Sequence, residues 1–117
     1  MNIYDKTHEL AKALKNSSEY KNLAAAQQSL NEDETAKKMV KDFLSKRMEL
    51  ETLAFTGKED KEKEEQLRKL YELINLNPKA GTYINAHMRL MQIMNDVYKI
   101  IGESFSEISA MDMFDEK

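Results

Sequence analysis

Residues 77–104 read NPKAGTYINAHMRLMQIMNDVYKIIGES, and this stretch decides the fold. Asn77 is a helix cap, and Pro78 suits the first helical position, where a missing N–H costs nothing. From there a single helix runs over about 79–104. Projected at 100° per residue, it carries two apolar stripes. One holds Ala80, Ile84, His87, Met91, Met94, Tyr98 and Ile101; the other holds Ala86, Leu90, Ile93, Val97 and Ile100. Asn85, Arg89, Gln92, Asp96 and Lys99 are confined to the narrow arc between them. A surface helix normally shows one stripe, so this one needs cover on two sides.

The remaining chain reads as shorter helices with clear punctuation. Ile3, Thr7, Leu10, Ala11 and Leu14 recur at helical spacing until Asn16-Ser17-Ser18 interrupts them. Ser17 or Ser18 then caps a second helix over about 18–30. Asn31 followed by Glu34 has the spacing of a capping box and opens a long helix over about 32–55. Thr56-Gly57 closes it, with Gly57 suited to the left-handed position after a helix. Residues 58–69, KEDKEKEEQLRK, hold five basic and five acidic groups. That balance suits a solvated helix face supported by fourth-neighbour pairs. From Leu67 the run turns amphipathic, with Leu70, Tyr71 and Ile74.

The fold class that follows is all-α: an elongated bundle of about five helices, two of them long (about 32–55 and 79–104). Residues 1–105 form a single helical domain, and 106–117 an acidic, mobile C-terminal tail. Composition agrees. The chain has 117 residues, 3 Gly, 1 Pro and no Cys. Barrels and sandwiches need more turn residues. Without cysteine there is no disulfide scaffold, Cys-ligated zinc site or iron–sulfur cluster held by this chain alone. No apolar run approaches the ~20 residues that span a bilayer, and the N-terminus lacks the apolar core of a signal peptide. The expected location is the cytoplasm, with no membrane partner.

The formal net charge is −3. Residues 103–117 hold five acidic groups and one lysine, a net of −4, which leaves +1 on residues 1–102. A near-neutral body has no field to steer phosphates, which argues against nucleic acid. Lys37, Lys38, Lys41, Lys46 and Arg47 are the densest basic group, but Glu34, Asp42, Glu49 and Glu51 interleave them. A solvated helix face is the better reading than an RNA-binding stripe.

Catalytic and metal-binding patterns are weak. His87 lies on an apolar stripe among Met88, Met91 and Met94, a combination that copper(I) accepts. Three-residue steps fan those methionines over ~120° of one helix, so core filling explains them better. The Glu-x-x-His pairs of di-iron bundles are missing: His87 has Ile84 three residues earlier, and His8 has Asp5. Neither a Gly-rich phosphate loop nor a nucleophile elbow occurs. The expectation is no enzyme, no cofactor, no catalytic residue and no metal ligand.

Length suggests self-association instead. A 26-residue helix is roughly 39 Å long, whereas a compact globule of 117 residues has a diameter near 35 Å. A homodimer follows, with Leu90, Ile93, Val97 and Ile100 as its interface. The competing reading is a monomer in which the short N-terminal helices cover the second stripe. In the tail, Met111, Met113 and Phe114 alternate with Asp112, Asp115 and Glu116, the pattern of a segment that docks onto an unidentified protein partner.

Asn77-Pro78 after a charged short helix, then Tyr83, Leu90, Val97 and Ile101 on a long one, with Glu19-Tyr20 opening an earlier helix, resembles the YlbF/YmcA-like family of small bacterial helical proteins, YheA branch. The resemblance spans nearly the whole chain. It implies a cytosolic helical protein that self-associates. Some members influence competence, sporulation and biofilm formation through an endoribonuclease that matures messenger RNA; the YheA branch carries no assigned activity. Members with iron–sulfur clusters supply cysteines, and this chain has none. The function expected is therefore a non-catalytic interaction or adaptor protein. The alternatives are an accessory regulator of RNA processing through an endoribonuclease complex, and a metal-binding bundle.

Overall fold

The computed structural model describes residues 2–106. Five α-helices follow one another: α1 (Ile3–Lys15), α2 (Ser18–Leu30), α3 (Glu34–Phe55), α4 (Lys61–Asn75) and α5 (Pro78–Glu103). The chain is an all-α bundle, with no strand among the described residues.

Each of these helices begins at a side chain that accepts a backbone N–H which the helix itself cannot pair. Asn2 accepts from Tyr4 at 2.7 Å, Ser17 from Tyr20 at 3.1 Å, and Asp33 from Ala36 at 3.0 Å. Asp60 accepts from Lys63 and Asn77 from Ala80, both at 3.0 Å. One expected cap is corrected. Asn31 does not open α3; it closes α2 in helical conformation, and its N–H donates to the Gln27 carbonyl. The last turn of α2 goes on binding Glu32 and Asp33 to the Ser29 and Leu30 carbonyls, so the chain first becomes extended at Asp33. The helix accordingly starts two residues later than expected. At the far end of α3, Gly57 adopts φ 80°. Its N–H donates to the Ala54 carbonyl and that of Lys58 to the Leu53 carbonyl, the paired bonds of a Schellman ending.

The core lies where α3, α4 and the first half of α5 meet. Leu30, Ala36, Val40, Phe43, Ile74, Ala80 and Ile84 form it, and Ile74 and Ile84 are wholly buried. α3 and α4 run antiparallel: the Phe43 and Tyr71 rings stand 5.6 Å apart, and further along Lys63 reaches Glu49 at 3.2 Å. α4 and α5 form a tight hairpin around Leu76-Asn77. A Cβ on Gly81 would lie 3.2 Å from the Ile74 carbonyl oxygen, so glycine permits this approach. α2 lies antiparallel along α5, its end tied to the start of α5 by Lys79 and Glu32 at 3.7 Å. Among the described helices, α1 packs only against α2.

The molecule measures 47 × 37 × 15 Å between its outermost Cα atoms. Its thin dimension is that of two helices stacked 8–10 Å apart, give or take about 2 Å. Its radius of gyration is 17.5 Å, against about 13 Å for a compact globule of this length. No described helix is long and apolar enough to cross a membrane.

Candidate interaction surface

α5 is buried at one end and bare at the other. Ala80, Gly81, Ile84, Ala86 and Leu90 are buried, and no later residue of the helix is. Ile93, Met94 and Val97 are half-buried. Tyr98 is 60% exposed, Ile100 65% and Ile101 39%. Helix lengths cause this gradient. α4 turns directly into α5, and α2 ends beside Lys79, so both run back from the start of α5. With 15 and 13 residues, they reach about 22 and 20 Å along it, which is as far as residues 90–93. α3 runs parallel to α5, with Asn77 donating to the Met39 sulfur at 3.9 Å. From Met39 it has 16 residues left before Phe55, so it too ends near residue 93. The last ten residues of α5 outrun all three neighbours.

Both stripes of α5 therefore lose cover at the same height, and the division runs along the helix rather than around it. The four expected interface residues fall on either side of that line. Leu90 is buried within its own chain, Ile93 and Val97 are half-buried, and Ile100 is exposed. On the first half of α5, Ala86 faces Ala25 and Ala26 of α2 across an open cleft of about 520 Å3, rimmed by Glu19, Asn22, Asn85 and Arg89.

α1 is the second uncovered element, and sequence reasoning did not single it out. None of its residues is buried; Ile3 and Tyr4 are each 76% exposed and Leu10 40%. Its periodicity was legible, but nothing in the pattern says that the described residues leave that face largely uncovered.

His87 is half-buried on the first stripe. Its ring stacks on Tyr83 at 6.0 Å, and its Nδ1 is buried without a hydrogen-bond partner. Burial, and secondarily the Arg47 guanidinium, holds its pKa below the ordinary 6.5. An imidazole that resists protonation in the fold makes the unfolded chain the better proton binder, so stability falls as pH drops through about 6.5 and levels off below the folded pKa. Denaturant midpoints measured from pH 7 down to 5.5 should decline, and His87→Leu should flatten that decline. An unchanged slope in the variant would assign it to other groups.

Among the described residues, no three His, Asp or Glu side chains come together as a metal site. Met88, Met91 and Met94 are half-buried, and Met88 packs on the core. Of the basic group of α3, Arg47 pairs with Glu51 at 3.2 Å, and the neighbouring Glu49 pairs with Lys63 of α4. Lys37, Lys38 and Lys41 make no ion pair with a described residue. Met111, Met113 and Phe114 lie outside the described residues.

Comparison with known proteins gives a consistent picture. The family model described as "Control of competence regulator ComK, YlbF/YmcA" matches residues 3–106. A UPF0342 protein of Caldicellulosiruptor saccharolyticus is 40% identical over 116 residues, covering 98% of this chain and 92% of that protein. A UPF0342 protein of Desulfitobacterium hafniense is 36% identical over 109 residues, covering 92% and 88%. Among solved structures, a chain of the crystal structure of Bacillus subtilis RicA in complex with RicF has the same fold, with a TM-score of 0.56 and 24% identity, over 90% of this chain and 94% of that one.

Proposed function

From its membership of the YlbF/YmcA family, to which this chain belongs over residues 3–106, we propose that the protein is a non-catalytic cytoplasmic adaptor that works by protein–protein contact, as a homodimer seated on the C-terminal half of α5. The observation that carries the reading is the bare end of α5. Ile93, Val97, Tyr98, Ile100 and Ile101 form one apolar arc on a helix whose neighbours have all ended. Contiguous exposed apolar surface of this kind marks an interaction site. The thin shape supports it, since two flat molecules joined on this arc make a thicker, more globular particle.

Light scattering at micromolar concentration tests the dimer. Twice 13.6 kDa is expected for the native chain, and Ile100→Asp should return the single-chain mass with an unchanged helical spectrum. A native chain that scatters as 13.6 kDa would remove the dimer. For the adaptor role, capture from the cytosol should lose partners when residues 106–117 are deleted or residues 37–47 are charge-reversed. Captured sets identical to wild type in both cases would refute those surfaces.

A second reading is an accessory role in RNA processing through contact with an endoribonuclease complex. It is favoured by the likeness in fold to a chain of the RicA–RicF complex. Lys37, Lys38 and Lys41, which pair with no described residue, offer the basic contact such a role could use. Weak, salt-sensitive retardation of RNA at low salt would support direct binding, because phosphate contacts weaken as salt rises.

A further inference from the structure

α1 is a capped, amphipathic helix that the other described residues cover only in part. Ile3, Thr7, Leu10, Ala11 and Leu14 lie on one side, with Tyr4 at its edge. At 13 residues it is at the length where an isolated helix is marginal in water, roughly 12–15 residues, so it needs tertiary packing to persist. The described residues supply little: among the described helices, α1 touches only α2. α2 begins beside the middle of α5, since Glu19 and Arg89 rim the same cleft. α1 therefore leaves the body close to the height at which α5 loses its cover. Two apolar faces start from one place and do not meet.

We propose that α1 is a docking arm for a second copy of this chain, packing on the bare end of α5 in the partner while the partner's α1 packs on this one. This deepens the homodimer reading and rests on it. A two-fold axis makes the exchange reciprocal, so that each arm and each α5 end is covered once. Together the two pairs make a small four-helix cluster at the centre of the dimer. Ile3, Tyr4, Leu10, Tyr98, Ile100 and Ile101, each 39–76% exposed, supply large apolar side chains toward the ~800 Å2 per partner that a standard interface buries. Charge is complementary. α1 carries three lysines against Asp5 and Glu9, net +1, and residues 92–103 carry Asp96 and Glu103 against Lys99, net −1.

A charge-swap experiment on the full-length chain separates this arrangement from a dimer in which α5 packs on α5 alone. Leu10→Lys alters only the arm, and Ile100→Asp alters only its receptor. Each variant, purified separately, should scatter at 13.6 kDa, with thermal unfolding still cooperative because neither residue belongs to the core. Mixed, they should regain the dimer mass, since one of the two contacts is native and the other pairs Lys with Asp. If Leu10→Lys dimerises as strongly as the native chain, the arm exchange is overturned while the homodimer stands. If Ile100→Asp and Leu10→Lys stay monomeric when mixed, the reciprocal pairing is overturned. A native chain that is itself monomeric removes both readings together.

Discussion

Phe43→Ala should destabilise the protein by about 3–5 kcal/mol, the usual cost of emptying a buried aromatic site. Phe43 is 3% exposed, and its ring stands 5.6 Å from that of Tyr71, so the substitution opens a void between α3 and α4 and removes a ring–ring contact. A domain of this size has roughly 5–15 kcal/mol in all. The melting temperature should fall by something on the order of 4 °C per kcal/mol lost. Denaturant titration checks it, and a loss below about 1 kcal/mol would mean that the α3–α4 contact is not part of the core.

Ile84→Ala should cost about 2–5 kcal/mol. Ile84 is fully buried at the point where α5 meets the core built on Ile74 and Val40. Its neighbours are rigid helix faces that collapse poorly into a cavity, which places the expected value in the upper part of that range. Leu76→Ala is the control: Leu76 is 80% exposed in the turn before α5, and a surface change of this kind stays within about 0.5 kcal/mol. Phe43 and Ile84 share one cluster. Their double substitution should deviate from additivity, and it should leave little folded protein at room temperature.

Helix boundaries were largely legible because they depend on local chemistry. Ser17, Gly57 and the Asn77-Pro78 pair each do in the structure what their side chains or backbone freedom suggest. The exceptions have local causes of a subtler kind. Asn31 and Asp33 can both cap, and the choice depends on how long α2 holds its last carbonyls, which the hydrogen bonds of Glu32 and Asp33 settle. Asp60 caps α4 from inside a dense charge run, where one acidic group among five does not stand out. For the interaction surface, the apolar character of Ile93, Val97 and Ile100 could be read from spacing. The isolation of α1 could not, because a helix with a partner and one without share the same periodicity.

Residue order was enough to specify five helices, their caps, and a long last helix apolar on most of its circumference. Those properties arise within a few turns of chain, where side chains compete for neighbouring backbone groups and apolar residues recur at a fixed angle. Which length of that helix is covered arose only from assembly in three dimensions. Periodicity records the direction in which a side chain points, whereas cover depends on where α2, α3 and α4 start and stop beside α5. The starts of α2 and α4 and the end of α3 lie near the same height, and this places Leu90 inside the fold and Ile100 in water.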